Sequence, residues 1–234
     1  MNPRVRLRTS EKLDDLSLSG EPLTHTLSSL KWINSVLGNH TQLSNAVVQY
    51  CKKNKNKKRI HIVDLGCGGG DCIFYISKKL KQKDVEVSFT GIDGNPSSIL
   101  FASEKIPHSQ NINFVVADIL DKNFKIPDCD LLISSHFIYH FDNEGLVDFL
   151  KKTQRKKIKH IIFSELYRSR MAYYLFKNMS YLLPISNMAK KDGLTAIQRA
   201  FSINELREII KQSSSKKFKI NKKPFFRMVA KIEP

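Results

Sequence analysis

The chain is poor in cysteine, glycine and negative charge, and it has no long apolar run. Its four cysteines in 234 residues, Cys51, Cys67, Cys72 and Cys129, show no Cys-x-x-Cys spacing. A disulfide scaffold and a paired-thiolate metal framework are therefore excluded, and reduced thiols are expected. No stretch approaches the roughly 20 consecutive apolar residues of a membrane span. The nearest, Met171 to Ile185, is broken by Lys177 and Asn178. The start is arginine-bearing rather than an apolar leader, so the expected location is cytoplasmic. Acids number 22 against 39 lysines and arginines, a net charge of +17. Most of that excess is lysine scattered over helix-like faces, with one dense run from Lys52 to Arg59. A solvated surface accounts for it, and nucleic acid is not the expected partner.

Against this scarcity, Gly66, Gly68, Gly69 and Gly70 stand almost together. They follow Ile60, Ile62, Val63, Asp64 and Leu65 and precede an amphipathic segment from Cys72 to Leu80, which reads as strand, tight loop and helix. Such a loop brings backbone N–H groups and the positive end of a helix against a ligand. The dinucleotide pattern G-x-G-x-x-G needs a third glycine where Asp71 stands, whereas Gly66, Gly68 and Gly70 satisfy G-x-G-x-G. Asp64, two residues before the first glycine, would repel a pyrophosphate and suit the ammonium of an amino-acid-like ligand. In the form Asp64-Leu65-Gly66-Cys67-Gly68 the stretch resembles motif I of class I S-adenosylmethionine-dependent methyltransferases.

Residues 1–58 read as an N-terminal helical cap. Pro22 stands at a first helical position, Leu23, Leu27, Leu30, Ile33 and Leu37 recur at helical spacing, and Gly38 stops the helix. A second helix from about Thr41 carries Leu43, Ala46, Val47 and Tyr50, and Trp32 is expected to pack within the cap. Residues 59–167 alternate strand and helix, the pattern of a doubly wound parallel sheet. The strands read as Arg59–Leu65, Glu86–Ile92, Asn113–Val116, Asp130–Ser135 and His160–Phe163. Residues 168–200 break the rhythm with an aromatic helix or helix pair followed by the polar stretch Lys190 to Gly193, and read as a lid. Residues 201–234 hold a capping box, Ser202 with Glu205, stapled by Phe201 and Leu206, that opens a helix to about Lys211. Strands Lys217–Asn221 and Phe225–Ile232 then form a hairpin across Lys222, Lys223 and Pro224.

An acid at the tip of the second strand of such a sheet faces a ribose, which points to Asp93 in the turn Asp93-Gly94-Asn95. Asp64 to Gly70, Asp93, Asp118 and Asp130 to Phe141 follow in the order of class I methyltransferase motifs I to IV. The resemblance covers residues 59–166. It implies an α/β, Rossmann-like, doubly wound seven-stranded sheet and S-adenosylmethionine as cofactor. Carried over by position, it sets Asp64, Gly66, Cys67 and Gly68 at the methionine moiety and Asp93, with Gly94 and Asn95, at the ribose. Asp118 and Ile119 fall at the adenine and Ser134 at the sulfonium. Leu13-Asp14-Asp15, Trp32-Ile33-Asn34 with Leu37-Gly38, and Asp192 to Thr195 with Arg199 to Phe201 are similar to bacterial small-molecule methyltransferases associated with type III polyketide synthases. These fall in the ubiquinone and menaquinone group, which carries a His-His pair where this chain has Tyr139-His140.

Methyl transfer from a sulfonium is an in-line displacement that needs positioning, exclusion of water and, for a hydroxyl acceptor, a base. His140 is the expected base, oriented by Glu165, with Tyr139 beside it. His136, Tyr139, Tyr173 and Tyr174 are expected to line the acceptor pocket. His136 and His140 would share a helix face, but two ligands do not make a metal site and none is expected. Cys67 reads as a small buried loop residue. The expected activity is methylation of an apolar, aromatic or polyketide-like small molecule, at oxygen in preference to carbon. Two alternatives are an RNA or protein methyltransferase, suggested by the charge, and a non-catalytic cofactor-binding protein. Against the first, strand four ends Ser134-Ser135-His136-Phe137, without the Asn/Asp-Pro-Pro-aromatic motif of amino methyltransferases.

Overall fold

Strand β1 (Ile60–Leu65) lies in the interior of a seven-stranded sheet because both of its faces are apolar. Ile60 and Ile62 enter one buried cluster and Val63 and Leu65 another, as period-two alternation requires of a strand covered on both sides. The computed structural model describes residues 1–81, 86–106, 111–156, 158–215 and 217–234. Strands β2 (Val87–Asp93), β3 (Ile112–Val116), β4 (Leu131–Ser135) and β5 (Ile161–Leu166) run parallel to β1. The hairpin β6 (Lys217–Lys223) and β7 (Arg227–Glu233) completes the order β3-β2-β1-β4-β5-β7-β6, with β7 antiparallel to β5. Strand order reverses between β1 and β4, the point at which an open α/β sheet leaves a crevice at its carboxyl edge.

Helices α2 (Asn39–Lys53) and α3 (Asp71–Lys81) bury Leu43, Val47, Ile73 and Ile76 against one face of the sheet, while α5 (Asn143–Arg155) and α8 (Ile203–Gln212) bury Leu146, Leu150, Leu206 and Ile210 against the other. Helix α4 (Pro96–Lys105) follows β2 and touches α1 (Gly20–Val36). Helices α6 (Arg170–Met179) and α7 (Asn187–Arg199) pack on each other, and Ile185 and Ala189 meet Ile33 of α1. The ends are fixed by local chemistry. Asp142 caps α5 by accepting the Gly145 N–H, and Ser186 caps α7 by accepting that of Ala189. The Ser202–Glu205 capping box is present, each side chain accepting the other's backbone N–H, and a cap of this kind stabilises by about 1 kcal/mol. No helix among the described residues is long and apolar enough to cross a membrane.

Several sequence-based bounds move. Helix α1 starts two residues before Pro22, and α2 starts at Asn39, directly after Gly38, whose φ of 72° ends α1. Lys190 to Gly193 do not follow the helix pair: they lie inside α7, where Asp192 is buried. The hairpin turns at Pro224 to Phe226 rather than at Lys222 to Pro224, because Phe225 and Phe226 take φ of 59° and 55° and leave Lys222 and Lys223 in β6. Trp32 is 36% exposed, on the outside of α1 rather than within a cap interior.

Candidate active site

A cavity of about 520 Å³ opens at the carboxyl edge of the sheet, walled by the glycine loop, the tips of β2 and β4, helices α1, α6 and α7, and the N-terminal segment. Its volume is in the range of sites for a cofactor or small ligand. The loop between β1 and α3 is held by the N–H groups of Gly66 and Cys67, both donating to the Ile92 carbonyl at 2.9 and 3.0 Å. Gly66 takes φ of 68°, and a Cβ there would stand 2.4 Å from the Phe137 ring, so only glycine fits between β1 and the segment after β4.

Asp93 ends β2 and ties this loop to the next. Its Oδ2 accepts the Gly68 N–H at 2.9 Å and its Oδ1 the Asn95 N–H at 3.0 Å. Burial pushes the Asp93 carboxyl upward against those two donors, which pull it down. Asp64 is wholly buried on the cavity wall, and among the described residues neither of its carboxylate oxygens has a hydrogen-bond partner. Burial, reinforced by Asp71 and Asp93, holds its carboxyl well above the usual range. Asp118 and the buried Ile119 line the same wall, with Asp118 Oδ1 accepting the Leu120 N–H at 2.9 Å. Asn95 and Gly94 also line it, but Asn95 is spent on structure. It caps α4 through the Ser98 N–H and donates to the Leu18 carbonyl at 2.8 Å, while Leu16 covers Gly94. Cys67 lines the cavity too, and burial pushes its thiol well up, away from a nucleophile's range.

The opposite wall is charged and is assembled from distant parts of the chain. The short 3-10 turn Lys12–Asp14 is capped by Asp192 of α7, whose carboxylate accepts the N–H groups of Lys12 and Leu13, each at 3.1 Å. Arg199 donates to Asp14 at 2.7 Å and to Glu11 at 3.3 Å, and its Nη2 stands 3.2 Å from His140 Nδ1. His140 Nδ1 also stands 3.1 Å from Asp14 Oδ1, within ion-pair range but outside hydrogen-bond geometry. The Tyr139 hydroxyl donates to Glu11 at 3.3 Å. Burial pushes Asp14 up, but His140 and Arg199 together outweigh it and hold its carboxyl down at about 2. Glu11 is pushed up to about 8 by burial, partly offset by Arg199. Arg6 fastens the segment, donating to the carbonyls of Tyr139, Phe141 and Arg199 at 2.7, 3.0 and 2.8 Å.

Several expected roles meet different surroundings. Glu165 does not face His140: it is buried beneath the turn Ile138–His140, where Oε1 accepts the N–H groups of Phe137 and Ile138 at 3.2 and 3.4 Å. The acid beside His140 is Asp14. Ser134 lies with its side chain on the α5 side of β4, donating to the Leu65 carbonyl at 3.1 Å, and it is Ser135 that lines the cavity. The cause is the two-residue alternation of a strand. Tyr173 and Tyr174 stack edge to face on each other, and α6 instead turns Ala172, Leu175, Phe176 and Met179 to the cavity. His136 and Tyr139 do line it. Asn34, Glu11, Asp14, Arg199 and Arg227 are cavity residues without an expected role. Asp14, Asn34 and Arg199 sit within the segments whose resemblance was noted, which is the signal that could have found them, whereas Arg227 has none. Two groups of ligating side chains converge, His40–Asp71–Cys72 and Glu11–Asp14–His140. In the second, Arg199 already supplies the positive charge.

Residues 62–156 match the family described as methyltransferase domain. Malonyl-[acyl-carrier protein] O-methyltransferase 1 of Ilyobacter polytropus is 25% identical over 166 residues, which are 70% of this chain and 55% of that protein. The chain thus spans about half the length of that relative. Carboxy-S-adenosyl-L-methionine synthase of Helicobacter pylori is 32% identical over 79 residues, 34% of this chain and 31% of its own. Among solved structures, the plantazolicin methyltransferase BpumL in complex with SAH (S-adenosylhomocysteine) superposes with a TM-score of 0.66 at 18% identity, covering 92% of this chain and 91% of that one. Likeness at that identity shows the fold, which is the class I methyltransferase fold.

Proposed function

We propose, for a chain that carries a methyltransferase domain at residues 62–156, that it transfers a methyl group from S-adenosylmethionine to an oxygen of an apolar small molecule. One observation carries this reading: a single cavity joins the buried acids of the glycine loop and the β2 tip to an apolar chamber under α1, α6 and α7. The residues fit the cofactor. The unpartnered Asp64 carboxylate suits an ammonium, Asp93 has lone pairs left for ribose hydroxyls, and Asp118 with Ile119 suits an adenine. When bound, the cofactor supplies an electrophilic methyl on a sulfonium.

The chain's own side chains do the rest. Leu30, Ile33, Phe176, Met179 and Leu183 hold an apolar acceptor and keep water out. In the tautomer that keeps its proton on Nδ1, toward Asp14, His140 leaves the Nε2 lone pair to take a proton from the acceptor hydroxyl. Arg199 and Asp14 fix the imidazole plane, so Asp14 takes the orienting role expected of Glu165. Residues 1–58 act as a cap and residues 168–200 as a lid that complete this chamber. A relative named as an O-methyltransferase supports oxygen as the accepting atom, and an enclosed apolar chamber favours a small molecule over RNA or a folded protein.

Isothermal titration tests the reading. The wild-type protein is expected to bind S-adenosylmethionine and S-adenosylhomocysteine, and Asp93→Ala to lose about 10-fold or more in affinity through lost hydrogen bonds. No binding to the wild type, or unchanged affinity in Asp93→Ala, overturns it.

A further inference from the structure

Arg227 opens β7 and is 1% exposed, yet it lines the cavity. A guanidinium carries five N–H donors. Here Nη1 donates to His136 Nε2, Nη2 reaches Asn34 Oδ1 at 3.5 Å, and Nε has no partner among the described residues. Among the described residues no carboxylate forms an ion pair with it. The sheet keeps Glu165 of the neighbouring strand out of contact, although its field still favours the Arg227 cation. Alternation along β7 sets Arg227 on the side of Val229, against the α2–α3 cluster, while Glu165 accepts bonds on the other side, beneath Phe137 and Ile138.

The cation persists in this setting. Burial lowers Arg227 to about 10, which leaves it charged at neutral pH. His136, held in the left-handed region at φ of 55°, is kept neutral by burial and accepts from Arg227 instead of repelling it. Asn34 joins Arg227 to Asp71, accepting from the one and donating to the other at 3.3 Å. One end of this cavity therefore presents a buried positive fork beside a negative group, and a buried charge without a counter-ion is costly.

We propose that Arg227, positioned by His136 and Asn34, is a carboxylate-binding residue of the cavity, its counter-ion being a carboxylate of a bound ligand. Guanidinium and carboxylate match as two parallel hydrogen bonds. The proposal rests on the methyltransferase reading only for the source of that carboxylate, which is either the amino-acid tail of the cofactor or an acid group on the acceptor.

Titration calorimetry on the full chain and on Arg227→Met separates these sources. The probes are S-adenosylhomocysteine, 5′-methylthioadenosine (the same nucleoside thioether without the amino-acid tail), octanoate and octanamide. A loss of about 10-fold or more for S-adenosylhomocysteine, with methylthioadenosine within about 2-fold, assigns the cofactor's carboxylate. The same loss for octanoate, with octanamide unchanged, assigns an acceptor's. Unchanged affinity for S-adenosylhomocysteine, together with no Arg227-dependent binding of octanoate, overturns the proposal. If the wild type binds octanoate through Arg227 but neither nucleoside, the carboxylate site stands and the methyltransferase reading falls. Arg227→Lys keeps the charge without the fork. Should the Met variant not fold, the Lys variant is expected to lose affinity selectively for the carboxylate probe, and equal affinity for all four probes overturns the proposal there too.

Discussion

His140 and Asp14 meet across the cavity because Arg199 holds both, each through a different nitrogen. Asp14 is the more informative to change, since its carboxylate is kept ionised at any pH at which the protein would be assayed. His140→Ala is expected to lower turnover about 100-fold or more, and Asp14→Asn about 10-fold, while S-adenosylhomocysteine affinity stays within about 2-fold in both. Unchanged single-turnover rates in both variants would take the base elsewhere. Glu165 makes a different prediction. Burial raises its carboxyl from an ordinary 4.5 to about 8, so between those pH values the folded chain holds a proton that the unfolded chain has released. Stability contributed by that proton is present below about pH 4.5 and is lost as pH rises toward 8. Urea midpoints measured from pH 5 to 8 should therefore fall with pH, and Glu165→Gln should flatten the fall; an identical slope in the variant would show that Glu165 is not protonated in the fold.

At the scale of elements, what could be read from the sequence was what local chemistry decides. The capping box at Ser202 and the left-handed Gly38 each act within four residues, and each is in place. Orientation was not legible. Ser134 and Ser135 are chemically alike, and only pairing with β1 and β5 decides which one faces the crevice. Helix α6 is apolar on more than one side, so its sequence did not say that Phe176 rather than Tyr173 turns inward. The segment around Lys12 carries no periodic signal, because it is held by the side chains of Asp192 and Arg199 from α7 and of Tyr139 from the turn after β4. Arg6→Ala removes donors to three carbonyls there. We expect faster tryptic cleavage within residues 3–18 with little change in the melting temperature of the core. Equal cleavage rates would mean that the apolar contact of Leu16 is enough.

For the whole molecule, the fold was the most legible feature, since short apolar strands alternating with helices indicate a doubly wound parallel sheet and the resemblance implied its seven strands, while the strand order is set by long-range pairing. The wall of acids was partly legible because Asp64, Asp93 and Asp118 end strands or follow them, and strand ends are positions in sequence as well as in space. The rest of the polar lining was not, because it is drawn from residues 11, 14, 34, 199 and 227, which lie in separate parts of the chain. That composition has a consequence in time. A ribosome adds about 5 to 20 residues per second, so roughly 10 to 40 s separate the appearance of Asp14 from that of Arg199. The glycine loop and its acids can be in place well before residue 227 is made. The glycine loop and its acids are thus synthesised first, and the charged wall that faces them is complete only once the last strand has been made.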